Sequence, residues 1–312
     1  MRIIITGGSG MIGRALVANL AADGHAVIVL SRRPEDRRTR LPASVQVEPW
    51  DGKTAAGWGP LADGADAIVN LAGHSIGGEG FPPPRWTPAL KQRILHSRIE
   101  AGNAVVEAVR AASQKPRMLL QMSGIDYYGP GDNATPFTES SPAGSSFLAG
   151  VVVAWEKATE AVEALGVRRV VARTGPVLSM EGGAFPRLLI PFRLFAGGPL
   201  GNGRQPFSWI HIEDQVRAMR FLIENEQARG IYNLTAPHPL TNGELAKIVG
   251  RVMGRPSFVP APAFALRLAL GEVSTLVLDG QRVLPQRLLE AGFTFQYPDA
   301  ELAVRALLGR QQ

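Results

Sequence analysis

Apolar residues in this chain fall into two textures that alternate along its first half. Arg2–Ile5, Ala26–Leu30, Val45–Glu48, Asp66–Leu71, Met118–Met122 and Arg169–Arg173 are short, largely unbroken β-branched or aliphatic runs. That is the pattern of strands buried on both faces. Between them lie stretches of helical period: Met11, Ile12, Ala15, Leu16 and Leu20, then Thr87–Ala111, then Ser145–Leu165. Strands alternating with helices predict an α/β protein whose doubly wound parallel sheet is covered on both sides. The second half reads differently. Helices are expected near Gly183–Leu194, Glu213–Asn225, Thr241–Met253 and Gln281–Ala291, joined by Pro- and Gly-rich segments, with Phe258–Phe264 and Phe293–Pro298 extended. A strand at Ile231–Thr235 is expected to return to the main sheet. The division predicted is 1–176 as one domain, with 207–235 partly returning to it, and 177–312 as a smaller α/β cap.

The joint between the first strand and first helix carries the clearest chemistry. It reads Thr6-Gly7-Gly8-Ser9-Gly10-Met11-Ile12-Gly13. Gly7 permits a tight turn, Gly10 lets backbone approach a pyrophosphate, and Gly13 lets helix pack on strand. The N–H groups at Met11 and Ile12 open a helix whose N-terminus favours an anion. A dinucleotide site in a Rossmann-type sheet follows. The second strand runs into Ser31-Arg32-Arg33 without the acid that would accept a ribose 2′-hydroxyl. An arginine fork with a hydroxyl suits a 2′-phosphate, which favours NADP(H) over NAD(H). Leu71-Ala72-Gly73 at the end of the fourth strand offers small residues at the ligand-binding edge. Arg98 shares a helix stripe with Leu90, Ile94, Ala101 and Val105, so it needs an anion, a carboxylate or a route to solvent.

Composition removes several alternatives. The chain of 312 residues has no cysteine, which excludes disulfides, thiolate catalysis and zinc–thiolate sites. A first strand at Arg2 leaves no room for a leader, and no apolar run is long enough to span a bilayer, so a cytoplasmic protein without membrane contact is expected. The net charge of +6 is scattered, apart from Arg32, Arg33, Arg37, Arg38 and Arg40. No aromatic interleaving accompanies that cluster, so no nucleic-acid partner is expected. The five histidines show no metal-ligand spacing, so no metal is expected. Ser208, His211 and Asp214 lack a nucleophile elbow and do not read as a triad.

The segments T-G-G-S-G-M-I-G, N-L-A-G, M-S-G-I-D-Y-Y-G-P, A-R-T-G-P-V-L and F-S-W-I-H-I-E-D occur in the order of extended short-chain dehydrogenases/reductases. Arg85–Ile99, L-L-I-P-F-R-L, G-G-P-L-G-N-G-R-Q and G-Q-R-V-L-P-Q-R-L-L-E-A-G-F-T-F-Q-Y-P narrow this. The chain resembles, nearly end to end, the atypical epimerase-family subgroup of nucleotide-sugar-epimerase-like proteins, which has its own C-terminal domain. The resemblance implies NADP(H), with Ser31 and Arg32 at the 2′-phosphate, Leu71 and Ala72 at the adenosine side, Arg98 on the cofactor-facing helix and Val177 near the nicotinamide.

The superfamily moves protons with a serine, a tyrosine and a lysine four residues on. Ser123 stands in place, but the tyrosine position holds Phe147 and the lysine position Val151, and the subgroup shares this gap. Tyr127 and Tyr128, with Arg98 or Arg173 lowering a pKa, are the candidate substitutes. Asp126 adjoins them, where the subgroup tends to have a small residue. Arg204, in a glycine-rich loop, is the candidate substrate contact, and His74–Pro84 a candidate lid. Two functions are expected to compete: an NADP(H)-dependent oxidoreductase or epimerase acting on a small polar or nucleotide-bearing substrate, as monomer or homodimer, and a non-catalytic NADP(H) sensor.

Overall fold

The computed structural model describes residues 1–35, 40–78 and 83–309. Arg37 and Arg38 of the basic cluster, and residues 79–82 of the expected lid, lie outside the described residues. The first half follows the alternation of its sequence: β1 (Arg2–Thr6), α1 (Met11–Ala22), β2 (Ala26–Ser31), β3 (Gln46–Pro49), β4 (Ala67–Asn70), α2 (Pro88–Ala111), β5 (Met118–Gly124), α3 (Phe147–Lys157) and β6 (Arg168–Thr174). Six of these strands and a later one, β10 (Gly230–Leu234), form a parallel seven-stranded sheet in the order β10-β6-β5-β4-β1-β2-β3. The chain leaves β1 in opposite directions, toward β2 and toward β4, and this switch point is where an open α/β sheet binds ligands. One face carries a core of Ile3, Ile5, Leu16, Val17, Leu120 and Leu222; the other packs Ile4, Ile68, Leu119, Val105 and Val109.

The expected return of Ile231–Thr235 to the main sheet is what the structure shows, one residue earlier. Three expected elements differ. The single helix expected at Ser145–Leu165 is α3, capped by the Ser146 hydroxyl, followed by a 3-10 turn at Glu160–Leu165. Here Gly102 of α2 packs on Ala158 so closely that a Cβ would stand 2.7 Å from the alanine methyl. The helix expected at Gly183–Leu194 is two single turns, α4 (Phe185–Leu188) and α5 (Ile190–Arg193), with prolines at their starts.

After two-residue strands β7 (Val177–Leu178), β8 (Pro206–Phe207) and β9 (Ile210–His211) come α6 (Ile212–Glu224), β11 (Leu240–Thr241), α7 (Asn242–Met253) and α8 (Ala263–Leu270). The helix expected at Gln281–Ala291 forms only as α10 (Gln286–Glu290), after α9 (Thr275–Leu278). Arg282–Leu284 instead pairs with Phe137 through Phe137 N–H to Arg282 O (2.7 Å) and Leu284 N–H to Phe137 O (2.9 Å). The final helix, α11 (Ala300–Leu307), packs on α7 in a separate core with Trp209, Phe185 and Phe192.

Candidate functional site

Two rows of polar side chains cross the otherwise apolar sheet near its carboxyl edge. The first aligns Thr6, Asn70 and Gln121 on neighbouring strands. Thr6 donates to Asn70 Oδ1 (2.6 Å), Asn70 Nδ2 donates to Gln121 Oε1 (2.9 Å), and the Thr6 hydroxyl also accepts from the Leu71 and Ala72 N–H groups. This ladder ties the loop after β4 to the end of β1, and so sets the opposing walls of the switch point. Each group is buried and bonded, as burial requires.

Above β1 the glycine turn is fixed by space. Gly7 has φ +67°, and a Cβ there would lie 2.8 Å from the Leu71 carbonyl carbon and oxygen. A Cβ on Gly13 would lie 2.5 Å from Gly7 O and 2.6 Å from the Gly8 Cα. Only glycine lets turn, helix and neighbouring loop meet at these distances. The N-terminus of α1 has no side-chain cap and no acid in its first turn. The Gly10 N–H is spent on Gly7 O (3.0 Å), which closes the turn, and the helix start at Met11 and Ile12 carries the partial positive charge of an uncapped N-terminus. Beside it, Ser31 is buried and its Oγ accepts from Arg33 N–H at 3.2 Å. Arg32 is exposed, its stem lying on Gly52, and no acid among the described residues pairs with it. Cradle, uncapped helix start and an uncommitted guanidinium at the end of β2 together fit a phosphorylated dinucleotide.

Loop residues after β7 close over this turn: Gly182 and Gly183 lie against Met11, and Glu181 pairs with Arg14 at 3.5 Å. Val177 is buried at the base of that loop. Across the cleft Arg98 projects from α2 against Gly73, whose Cβ would be 3.0 Å from the guanidinium carbon. Its Nη1 donates to His74 O and Ile94 O, both at 2.9 Å, and the guanidinium lies 4.7 Å from the Trp155 ring centre. Burial, with no carboxylate among the described residues in contact, pulls its pKa down to about 10, partly offset by the charge of Asp126.

The second polar row is Ser123, Arg173 and Asn233, in register on β5, β6 and β10. Arg173, 1% exposed, is gripped by Glu156 of α3 through Nε–Oε1 (2.7 Å) and Nη2–Oε2 (2.8 Å). This two-pronged pair holds its pKa above the ordinary value against the opposing effect of burial. The Ser123 hydroxyl donates to the same Glu156 at 2.5 Å. Tyr128 donates to Asn233 Oδ1 (2.7 Å) and accepts from Arg173 Nη1 (3.1 Å). Sequence reasoning reached Ser123 and both tyrosines but missed Glu156 and Asn233. Aligned polar residues in neighbouring apolar strands were the available signal for Asn233.

The two tyrosines separate. Tyr128 is buried, stacked on Phe137, and desolvation pushes its pKa up despite Arg173. This corrects the expectation that an arginine would lower it: the hydroxyl is committed to holding β10 against the loop after β5. Tyr127 is half-buried, with the Arg173 guanidinium 3.3 Å from its ring centre. On α3, Phe147 packs edge-on to Trp86 (5.5 Å), and Val151 is buried with Leu90 and Ile94. The face that would carry the tyrosine and lysine is thus part of an apolar contact with α2. Arg204 lines an open depression of about 380 Å³ with Pro130, Asp132, Asn133 and Asp279. No hydrogen bond or ion pair among the described residues joins it to Ser123, Tyr127 or Arg98. Ser208 bonds Gln281 O and Val283 N–H, Asp214 bonds the Gln296 and Tyr297 N–H groups, and His211 caps α6, so those three make no triad.

Comparison with known proteins follows the same lines. A family model described as NAD dependent epimerase/dehydratase family matches residues 3–235, and a domain of unknown function, DUF1731, matches 261–307. Epimerase family protein YfhF of Bacillus subtilis (strain 168) is 39% identical over 308 residues, 99% of this chain and 98% of its own. The chloroplastic epimerase family protein SDR39U1 homolog of Arabidopsis thaliana is 39% identical over 313 residues, 99% of this chain and 87% of its own. The crystal structure of human epimerase family protein SDR39U1 (isoform 2) with NADPH superposes with a TM-score of 0.88 at 33% identity, covering all of both chains. By sequence and by fold, the chain belongs to the NAD dependent epimerase/dehydratase family.

Proposed function

We propose that this protein is an NADP(H)-dependent oxidoreductase or epimerase of the extended short-chain type, acting on a small polar or nucleotide-bearing substrate. The observation that carries the reading is the glycine cradle at the uncapped start of α1, with Arg32 just past β2 paired to no acid among the described residues. The human relative solved with NADPH supports the same cofactor. Gly7, Gly10, Met11, Ile12 and Gly13 would hold the pyrophosphate, Ser31 and Arg32 the 2′-phosphate, and Leu71, Ala72 and Gly73 the adenosine side. A nicotinamide dinucleotide supplies and accepts hydride. Ser123, its proton directed to Glu156, presents its oxygen lone pairs as acceptors to whatever donor lies beside it. Tyr127 and Val177 wall the same space, and residues 177–312, apart from the returning strand, form the cap over the substrate.

A second reading, a non-catalytic NADP(H) sensor, draws on one observation: the tyrosine–lysine face of α3 is filled by Phe147 and Val151. Isothermal titration with NADPH and NADH, followed by mass-spectrometric detection of deuteride transfer from labelled NADPH to a panel of carbonyl compounds and nucleotide sugars, separates the two. Binding with transfer supports the enzyme. Binding without transfer supports the sensor, and no binding overturns both.

A further inference from the structure

Five large apolar side chains of the cap stand out into solvent: Phe258 (79% exposed), Leu268 (75%), Phe264 (73%), Leu194 (71%) and Phe195 (58%). Backbone pairing gathers them. The chain after α5 runs beside the chain before α8, with Val259 N–H to Gly197 O (3.0 Å), Ala261 N–H to Pro199 O (2.9 Å) and Gly201 N–H to Ala261 O (2.8 Å). Arg255 lies over the Phe195 ring, 4.2 Å from its centre. Phe258 and Val259 lead through Pro260–Pro262 into α8, where Phe264 and Leu268 share one side. No residue of that helix is buried, and its last carbonyls, those of Leu268 and Ala269, accept from Arg85. Exposed apolar side chains gathered in this way mark a contact surface.

Phe195 is held there against its own backbone preference. α5 ends in a Schellman turn, with Phe195 N–H to Phe192 O (3.1 Å) and Ala196 N–H to Pro191 O (2.9 Å). The residue just past the C-cap in such an ending is left-handed and is ordinarily glycine. Here it is Phe195, at φ +59°, the one non-glycine residue with positive φ among the described residues. A bulky side chain strained in this way, and not repaid by burial, fits a contact made with something outside the chain.

The charge around these side chains has one sign. Residues 182–212 and 245–271, which supply the whole surface, contain seven arginines and lysines and no aspartate or glutamate. Arg251 pairs with Glu301, whereas Arg193, Arg255 and Arg267 pair with no acid among the described residues. Arg267 stands at helical spacing from Phe264, on the same side of α8. A second copy of the chain in a two-fold contact would bring arginine against arginine. Three free arginines, with no exposed tryptophan or tyrosine beside them, fall short of the polybasic, ring-anchored surface that anionic lipid selects. Guanidinium forks instead match carboxylates, two oxygens at a time.

We propose that this face of the cap docks an acidic amphipathic segment of a partner protein. Leucine or phenylalanine side chains of the segment lie against Phe195, Phe258, Phe264 and Leu268, and its aspartates or glutamates meet Arg193, Arg255 and Arg267. The contact does not depend on the dinucleotide reading, since none of these residues lies at the glycine turn.

A displayed library of random linear peptides, selected on the immobilised full chain, supplies the probe. Enriched sequences should carry net negative charge with apolar residues at helical spacing, and the synthesised peptides should bind the full chain in fluorescence anisotropy. Phe195→Gly should fold and melt close to wild type, because glycine suits the helix ending, yet bind at least about tenfold more weakly. Phe264→Ser with Leu268→Ser should lose binding to a similar degree. Arg255→Gln with Arg267→Gln should lower affinity roughly 3–10-fold and flatten its dependence on salt. A selection that enriches no peptide, or only neutral or basic ones, overturns the proposal. Binding that survives both Phe195→Gly and the paired serine substitutions overturns it as well. Co-sedimentation with phosphatidylcholine–phosphatidylglycerol vesicles, or a dimer in sedimentation velocity, abolished by the same substitutions would give the face to lipid or to a second copy and overturn it equally.

Discussion

Arg173 and Arg98 are both buried arginines at the carboxyl end of one sheet, and their surroundings differ in every respect that matters. Arg173 has a carboxylate on two of its nitrogens, a phenol on the third and a ring against its face. Arg98 has two backbone carbonyls, both on one nitrogen, and an indole. The first is held charged by its partners; the second is drawn down to about 10 by burial. A saturated buried arginine fixes geometry. One left short of acceptors at a ligand-binding edge is set up to meet an anion from outside.

That contrast is open to breaking. Glu156→Gln strands the Arg173 charge in the sheet and is expected to cost roughly 3–5 kcal/mol of stability, read by chemical denaturation, whereas replacing both residues by apolar ones of similar volume should recover most of it. Arg98→Met is expected to behave oppositely. Stability should fall by less than in Glu156→Gln, because no carboxylate among the described residues is in contact with Arg98, while NADPH affinity falls about tenfold, a loss of about 1.4 kcal/mol. An equal loss of stability in the two variants would erase the distinction.

A smaller effect sharpens it further. Asp126 has its pKa raised by burial, so the folded state binds its proton more tightly than the unfolded chain does. Stability should therefore decline as pH rises from the ordinary aspartate value through the folded one. Asp126→Asn removes that decline: it should be more stable than wild type near neutrality, with the gap closing as pH falls toward the ordinary aspartate value. Melting curves across that range decide it, and a gap that widens on acidification would contradict the assignment.

Much of this was legible in the residues. The strand–glycine–helix joint, the missing acid after β2 and the return of the strand near residue 231 follow from period, size and charge, and each is local. Arg98 stood out because a charge on an apolar helix stripe is costly wherever the helix packs. Glu156 did not, since a glutamate on a helix ordinarily faces water, and only the pairing of β5 with β6 brings Ser123 and Arg173 beneath it. The helix expected over Gln281–Ala291 failed for a related reason. Its first residues pair with Phe137, far away in sequence, and such pairing is invisible to local periodicity. Tyr128 was read as a proton carrier from its neighbours in sequence, yet its hydroxyl faces Asn233 of a strand about a hundred residues on.

The account depends most on a phosphorylated dinucleotide seated on the glycine turn with Arg32 at its extra phosphate. Calorimetric titration of wild type and Arg32→Ala with NADPH and NADH measures this directly. The expected result is a preference for NADPH of at least about tenfold in wild type, largely lost in Arg32→Ala with NADH affinity unchanged, in line with a charge-assisted contact of roughly 1.5–3 kcal/mol. Equal affinity for the two dinucleotides in wild type, or a preference that survives removal of the guanidinium, would contradict it.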